Sequence, residues 1–252
     1  MFDLHGRVAV VTGASSGLGL QMSMGFAKQG ADLVIMARRF EKLEKVAEKI
    51  RALGVRCLPI KCDITDTEAV FRAAEEAIKY YGKVDILVNN AGASKNAGVL
   101  DMTDEEWNFT LQADLTSVFK VTRAFAKYMV EKRYGRIINI ASIYGQVGNT
   151  VMDTVAYHSS KGGVINFTRA VAAELAKYNV TCNTISPGYF ETELTIDTLQ
   201  TESFTAFMKS SVPLGRYGHE GELNPAAIFL ASDEASYITG QNIKVDGGYT
   251  SV

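Results

Sequence analysis

Short runs of β-branched and apolar residues alternate along this chain with longer helical patterns, and this alternation constrains the fold more than any other feature. In the helical segments, apolar positions recur three and four residues apart. We predict strands at 7–12, 32–37, 55–61, 85–89, 136–141, 180–185 and 242–245. We predict helices at 17–29, 41–53, 67–81, 104–132, 156–178 and 223–231.

Most predicted strands are apolar at successive positions, so both of their faces are expected to be buried. That pattern is typical of a parallel sheet lying between two layers of helices. The sequence therefore predicts a doubly wound α/β fold, Rossmann-like, with a seven-stranded parallel sheet and helices on both faces. In such sheets ligands bind beyond the carboxyl ends of the strands, so functional residues should follow the strands directly.

Length and composition suit one compact domain. The chain has 252 residues, of which 47% are apolar and only four are proline, and we expect residues 1–252 to form a single domain. A net charge of -2 and an isoelectric point near 6.0 provide no basic field for a polyphosphate partner. We therefore expect no nucleic acid to bind.

The sequence also argues against membrane insertion and metal binding. The first residues lack the pattern of a signal peptide, and no stretch approaches the roughly 18 apolar residues that span a bilayer. The thiols and imidazoles show neither CxxC nor zinc-ligand spacing. We expect a cytoplasmic protein whose reduced cysteines are small core residues. The cysteines are Cys57, Cys62 and Cys182, and the histidines, which show no zinc-ligand spacing with them, are His5, His158 and His219.

A glycine-rich turn, TGASSGLG at 12–19, follows the first predicted strand and leads into the first helix. Glycines allow a tight turn, and the N–H groups of a helix N-terminus favour a pyrophosphate. The spacing is G-x3-G-x-G, and its place between a strand and a helix makes it a candidate dinucleotide site. The candidate cofactor residues of this turn are Gly13, Ser15, Ser16, Gly17, Leu18 and Gly19.

The end of the second predicted strand indicates which dinucleotide is bound. An acidic residue about 20 positions past the glycines would hold a ribose 2′-hydroxyl and select NAD. Here that position is Ala37, followed by Arg38 and Arg39. Guanidinium groups without a carboxylate suit a 2′-phosphate, so we expect NADP(H). The alternative is that the two arginines only begin a solvated helix.

Several motifs in order resemble those of the short-chain dehydrogenase/reductase family over essentially the whole chain. They are TGASSGLG at 12–19, NNAG at 89–92, Ser142, Tyr157-x-x-x-Lys161, Pro187-Gly188 and DGG at 246–248. The resemblance implies hydride transfer between a nicotinamide and a secondary alcohol or ketone. It further implies a homotetramer that buries the helices 104–132 and 156–178, with a second interface at 245–252.

By this resemblance Tyr157, Lys161, Ser142 and Asp114 are the candidate catalytic residues. Tyr157 and Lys161 are four apart and share one face of a helix, so the ammonium favours the phenolate of its neighbour. Taken alone, such a pair is an ordinary amphipathic pattern. Ser142 would donate a hydrogen bond to the substrate oxygen, or simply cap a loop.

Asp114 stands where the family commonly has asparagine. The family uses the main-chain carbonyl of this residue, a role that an aspartate keeps, and the carboxylate could additionally tether Lys161. We therefore expect activity to be retained despite the departure from the family pattern.

Further cofactor contacts are implied by the resemblance. Asp63 resembles an adenine-contacting aspartate; its competing role is to cap the following helix, and the two roles are compatible. Main-chain groups near Phe190 and the Thr192 hydroxyl would hold the carboxamide. Residues 193–213 are expected to form a lid, unless their Met and Phe side chains belong to the core. The remaining candidates are Ile64, Asn90, Ala91, Gly92, Pro187 and Gly188.

The substrate is the least determined feature. The sequence is most similar in texture to gluconate 5-dehydrogenase-type members, which favours a sugar acid, polyol or small keto compound. The 3-oxoacyl-carrier-protein reductases follow closely, and a hydroxysteroid or xenobiotic ketone remains open. A different class, a non-catalytic NADP(H)-binding regulator, would be expected to lack Tyr157, Lys161 or Ser142, and all three are present.

Overall fold

The computed structural model describes residues 2–150, 152–193 and 195–252, and across these residues the strands form one sheet of seven. All strand pairs are parallel, in the order β3-β2-β1-β4-β5-β6-β7. The strands are β1 Val8–Thr12, β2 Asp32–Ala37, β3 Cys57–Lys61, β4 Ile86–Asn89, β5 Gly135–Ile140, β6 Val180–Pro187 and β7 Asn242–Val245. The predicted doubly wound parallel sheet is confirmed.

Burial explains why the apolar runs became central strands. Every residue of β1, β4, β5 and β6 is buried, and Val10 of β1 lies between Val34 of β2 and Leu87 of β4. The chain winds outward from β1 to β3 and then returns to place β4 on the other side of β1. That reversal opens a crevice at the carboxyl ends of β1 and β4, where the sequence places its glycine turn.

Helices cover both faces of the sheet. One face packs a core that includes Phe26, Leu43 and Leu230, and the other packs a core that includes Val70 and Phe125. The main helices are α1 Gly17–Lys28, α2 Phe40–Arg51, α3 Thr67–Tyr81, α4 Asp104–Leu111, α5 Ser117–Lys132, α6 Val155–Leu175, α7 Ile196–Leu199, α8 Glu202–Ser211 and α9 Asn224–Ala231. No helix within the described ranges is long and apolar enough to cross a membrane.

Two long predicted helices differ from a regular α-helix. The helix predicted at 104–132 contains a π-helical turn, Gln112–Thr116, between α4 and α5. The helix predicted at 156–178 begins one residue earlier and ends in a 3-10 turn, Ala176–Tyr178, before the left-handed Asn179. The periodicity of apolar residues does not reveal an inserted π turn, because the pattern on either side of it remains helical.

The segment 193–213 contains α7 and α8, and Leu194 within it lies outside the described residues. Leu199 and Met208 are buried, while Phe204 and Phe207 are half-buried. Val151, in the loop between β5 and α6, likewise lies outside the described residues.

Candidate active site

The glycine turn packs tightly against the loop that follows β4. Gly13 and Gly17 have φ of +68° and +56°, which glycine adopts without strain. A Cβ on Gly13 would lie 2.8 Å from the Ala91 Cα, and a Cβ on Gly19 would overlap the Asn90 Nδ2 atom. These glycines are therefore required by the close approach of two backbones as well as by the turn.

Thr12 joins the two loops, and the sequence analysis did not include it among the site residues. Its Oγ1 accepts hydrogen bonds from the N–H groups of Asn90 and Ala91, each at 3.0 Å, and donates to the Val88 carbonyl at 3.3 Å. The Asn90 side chain in turn donates to the Thr12 carbonyl at 3.0 Å. The signal in the sequence that could have identified Thr12 is a hydroxyl residue at the end of β1, directly before the first glycine of the turn.

The N-terminus of α1 is suited to an anion. Ser16 precedes it in an extended conformation, and within the described residues its side chain makes no capping hydrogen bond. The first turn carries no acidic residue, so its N–H groups and the helix dipole favour negative charge. Leu18 packs against the core while Ser15 is half-buried beside it. These features fit a pyrophosphate group.

Arg38 and Arg39 are exposed directly after β2, and Arg39 precedes α2. Among the described side chains, neither guanidinium forms an ion pair with a carboxylate within 4.0 Å. Both groups therefore retain their capacity to bind a phosphate at this edge of the sheet.

Asp63 follows β3 but does not cap α3, so that alternative is wrong. Asp66 caps the helix, accepting from the N–H groups of Glu68 and Ala69, because it stands directly before the first helical residue. Asp63 instead accepts from the N–H and hydroxyl of Thr65 at 2.9 and 2.8 Å. The Thr65 N–H, together with the charge of nearby Arg38, lowers the pKa of Asp63. Ile64, half-buried, packs against the core beneath.

Tyr157 and Lys161 lie on one face of α6, as predicted. The Lys161 ammonium is 5.5 Å from the centre of the Tyr157 ring, donates to the Ile140 carbonyl at 3.2 Å, and lies 3.8 Å from the Asp114 carboxylate. Lys161 and Asp114 are both buried, whereas Tyr157 is partly exposed. The phenol can thus meet a substrate while the charge beside it is shielded from water.

Asp114 is held in place by the π-helical turn Gln112–Thr116 and by the loop after β4. Its Oδ1 accepts a hydrogen bond from the Ala93 N–H at 2.7 Å, and a Cβ on Gly92 would lie 2.5 Å from that oxygen. π turns are rare and are often found at functional sites. The carboxylate therefore links the loop after β4 to Lys161.

Ser142 follows β5 and is buried. Its Oγ accepts a hydrogen bond from the Tyr144 N–H at 3.2 Å and caps the 3-10 turn Ile143–Gly145. The loop-capping alternative is therefore present in the structure. Because the hydroxyl accepts in this bond, its proton remains available for donation. The Tyr144 ring lies 6.5 Å from the Tyr157 ring, so the same loop reaches the phenol predicted to be catalytic.

Beyond β6, which ends at Pro187, the main chain is held from both sides. The Gly188 N–H donates to the Val245 carbonyl at 2.9 Å. Phe190 is buried and pairs through its backbone with Gly218, on which a Cβ would overlap the Phe190 ring. The Phe190 side chain is therefore a core residue, and only its main chain can serve a cofactor.

Thr192 lies against the glycine turn, since a Cβ on Gly17 would be 3.6 Å from its methyl group. Gln21 holds this loop: its amide donates to the Glu191 carbonyl and accepts from the Gly221 N–H, both at 3.1 Å. Gln21 was not predicted as a site residue. The signal in the sequence was an amide side chain among the apolar residues of the first turns of α1, and such an amide needs hydrogen-bond partners when it is buried.

The three cysteines are buried, and burial raises the pKa of Cys57 and Cys182 to about 12 and that of Cys62 to about 11. They are core residues rather than nucleophiles. Across the described residues, no group of three or more His, Cys, Asp or Glu side chains could hold a metal ion.

Comparison with known proteins agrees with this geometry. A family model described as enoyl-(acyl carrier protein) reductase matches residues 13–250. The 3-oxoacyl-[acyl-carrier-protein] reductase of Thermotoga maritima is 37% identical over 245 residues, covering 97% of this chain and 98% of the relative. The chain belongs to the short-chain dehydrogenase/reductase family. The predicted family membership is confirmed, and with it an oxidoreductase acting on CH–OH groups.

Other members of the short-chain dehydrogenase/reductase family are similarly close. The 5-keto-D-gluconate 5-reductase of Escherichia coli K12 is 35% identical over 249 residues, covering 98% of this chain and 97% of the relative. A gluconate 5-dehydrogenase from Burkholderia cenocepacia, solved in complex with NADP and tartrate, superposes with a TM-score of 0.94. It is 35% identical, and the match covers 100% of this chain and 98% of that one.

Proposed function

We propose that this protein is an NADP(H)-dependent oxidoreductase that moves a hydride between the nicotinamide and a secondary alcohol or ketone. The observation that carries the proposal is the arrangement of Tyr157, Lys161 and Asp114. A partly exposed phenol stands beside a buried ammonium, which is itself 3.8 Å from a buried carboxylate. The predicted site residues, including Ser142, take the roles that the family resemblance implies.

The chain's own groups explain proton transfer and charge stabilisation. In ketone reduction the Tyr157 hydroxyl donates its proton to the oxygen that gains negative charge. The Ser142 hydroxyl donates a hydrogen bond to the same oxygen. Lys161 stabilises the phenolate left behind, and the Asp114 carboxylate holds that ammonium in place. The cofactor, when bound, supplies the hydride.

NADP(H) is favoured over NAD(H) by the exposed guanidiniums after β2 and the absence of a carboxylate at Ala37. The uncapped N-terminus of α1 would hold the pyrophosphate, and the loop at Asn90 to Gly92 would lie along the nucleotide. The B. cenocepacia relative was solved with NADP, which supports the same choice.

The substrate class proposed from the relatives is a sugar acid, polyol or small keto compound. A second candidate, 3-oxoacyl-carrier-protein reduction, is favoured by the 37% identity to the T. maritima enzyme. A hydroxysteroid or xenobiotic ketone is a further alternative to test. A non-catalytic NADP(H)-binding regulator would bind the dinucleotide without turning it over.

We further propose that residues 1–252 form one catalytic domain with 193–213 as its lid, acting in the cytoplasm as a homotetramer. Exposed Phe109 and Phe119 on α4 and α5, each more than 40% accessible, support burial of these helices against a second copy. Light scattering of the purified protein tests the assembly.

The decisive experiment measures NADPH and NADH consumption with keto-sugar acids, ketoses, acetoacetyl thioesters and keto-steroids. Replacing Tyr157 by phenylalanine is expected to lower kcat at least ~100-fold, because the proton donor is lost. The matched control is Tyr237→Phe, since that side chain is fully exposed. Unchanged turnover in the Tyr157→Phe variant would contradict the proposed mechanism.

A further inference from the structure

Six aromatic rings form a continuous surface next to the reactive phenol, and we name this surface the aromatic wall. Tyr144 is its nearest member, with its ring 6.5 Å from that of Tyr157 and stacked 4.8 Å from the His158 ring. The members of the aromatic wall are Tyr144, His158, Tyr189, Phe204, Phe207 and Tyr249.

Tyr189 is the centre of the aromatic wall. Its ring lies 6.2 Å from Tyr144, 5.2 Å from Phe204, 5.9 Å from Phe207 and 5.8 Å from Tyr249, edge to face in each case. The Tyr189 and Tyr144 hydroxyls hydrogen-bond to each other at 2.5 Å. Burial raises the pKa of both phenols, so both stay neutral at physiological pH.

The fold places the aromatic wall where a substrate would lie. Tyr144 comes four residues after the end of β5 and Tyr189 comes two after the end of β6, so both lie at the carboxyl edge of the sheet. Phe204 and Phe207 reach Tyr189 from α8, in the segment proposed as the lid. A substrate at Tyr157 would therefore be enclosed by rings and phenolic hydroxyls.

The two chain segments that supply five of the six rings of the aromatic wall contain acidic residues but no basic ones before Lys161 and Lys209. Residues 141–160 and 188–208 contain no lysine and no arginine. Glu193 is 4.0 Å from Lys42, so the charge of this acid is partly balanced, and Glu191 lies 3.5 Å from the His219 imidazole. The acids of these two segments are Asp153, Glu191, Glu193, Asp197 and Glu202.

The cations that flank these two segments are Lys161, which is buried 3.8 Å from the Asp114 carboxylate, and Lys209, which is exposed at the C-terminal end of α8. Residues 90–103, after β4, contain one basic residue, Lys95, whose ammonium lies 5.9 Å from the Phe109 ring on α4. Arg216 is held by both oxygens of Glu222, at 2.7 and 2.8 Å. A carboxylate on the substrate would thus meet acids and neutral phenols instead of a guanidinium.

We propose that this site selects uncharged polyhydroxy ketones and the corresponding polyols over keto acids, with the Tyr144 and Tyr189 hydroxyls binding substrate hydroxyl groups. The inference rests on the proposed function and narrows its substrate class. A neutral substrate hydroxyl can hydrogen-bond to a phenolic hydroxyl, and the ring faces can cover the carbon skeleton of the substrate. A substrate carboxylate would lose its hydrating water in this site without gaining an ion pair with a cation.

The test compares two substrates that share a C5 ketone, uncharged 5-keto-D-fructose and anionic 5-keto-D-gluconate, by NADPH oxidation. We expect kcat/KM to favour the uncharged ketone about tenfold at low salt, because several like charges act on the carboxylate. Raising the ionic strength should reduce that ratio. Glu202→Lys should reduce it about threefold, whereas Glu48→Lys, an exposed change on α2, should not.

A second variant tests the hydroxyl pair itself. Tyr189→Phe keeps the ring packing and removes one hydroxyl, so we expect KM for the uncharged ketone to rise about fivefold with kcat nearly unchanged. Tyr237→Phe is the matched control.

A higher kcat/KM for the keto acid would overturn the inference and leave the proposed function standing. Loss of that preference in the Lys95→Gln variant would then identify Lys95 as the cation that binds the carboxylate. Equal kcat/KM for the two ketones, or an unaltered KM in Tyr189→Phe, would also overturn it. If no ketone in the wider panel oxidises NADPH, both this inference and the proposed function fail.

Discussion

The buried pair of Asp114 and Lys161 yields a quantitative prediction. Asp114→Asn keeps an oxygen that can accept from the Ala93 N–H at 2.7 Å, but it removes the negative charge 3.8 Å from the Lys161 ammonium. Lys161 then retains the Ile140 carbonyl as its acceptor, at 3.2 Å. The change therefore isolates the charge while sparing the shape of the site.

The magnitude follows from burial and distance. Removing one partner of a fully buried ion pair costs about 3–5 kcal/mol of stability, because the other charge is left uncompensated. Here the atoms are 3.8 Å apart and the remaining hydrogen bonds are kept, so we expect Asp114→Asn to lower the free energy of unfolding by about 1–3 kcal/mol. Turnover should stay within about tenfold of the native enzyme, since the family role belongs to the main chain.

A double-mutant cycle provides the assay. The native protein, Asp114→Asn, Lys161→Met and the double variant are unfolded in urea without cofactor, followed by the fluorescence of Trp107, the chain's one tryptophan. We expect a coupling free energy of about 1–2 kcal/mol between the two changes. Coupling below about 0.3 kcal/mol would refute the interaction. A more than tenfold rise in turnover for Asp114→Asn would show that the native carboxylate impairs the enzyme.

Three further predictions concern the cofactor, the glycine turn and pH. Arg38→Ala should raise KM for NADPH about 10–100-fold and leave KM for NADH unchanged, and steady-state kinetics with equal loss for both would contradict the 2′-phosphate assignment. Gly19→Ala should lower stability by about 1–3 kcal/mol and weaken NADPH binding at least ~10-fold, as measured by calorimetry, because its Cβ would overlap the neighbouring loop. Gly148→Ala, with open space around the new Cβ, is the control, and equal effects of the two changes would refute the packing argument. The hydrogen bond from Arg216 lowers the pKa of Glu222 from 4.5 to about 2, so its contribution to stability is present above pH 4.5 and is lost as the pH falls toward 2. Urea unfolding at several pH values should show a flatter acid limb for Glu222→Gln, and an unchanged limb would argue against this pair.

The strands and most helices could be predicted because the spacing of apolar residues within each segment indicates which of its faces are buried. The β2 and β7 boundaries matched, while the strand predicted from residue 55 begins at Cys57. Position within a βα unit also located the glycine turn, whereas the Tyr157 and Lys161 pair was identified by its resemblance to the family motif.

Contacts between distant residues were harder to predict. Thr12 bonds to a loop 78 residues away, and Gln21 bonds to a carbonyl 170 residues away, so neither partner is visible locally. Asp63 was weighed as a helix cap, yet Asp66 fills that role because it stands directly before Thr67, the first residue of α3. The aromatic wall likewise draws its rings from five separate elements: the turn after β5, α6, the loop after β6, α8 and the C-terminal turn.

By itself the sequence determined the winding of the sheet and the place of its functional edge, because hydrophobic periodicity and glycine spacing act over a few residues. Only the tertiary structure decided what surrounds that edge: the π turn that carries Asp114 to Lys161, and the meeting of Tyr144 with Tyr189. Those contacts depend on the angles at which helices and loops pack on the sheet, and such angles are set by the whole core at once.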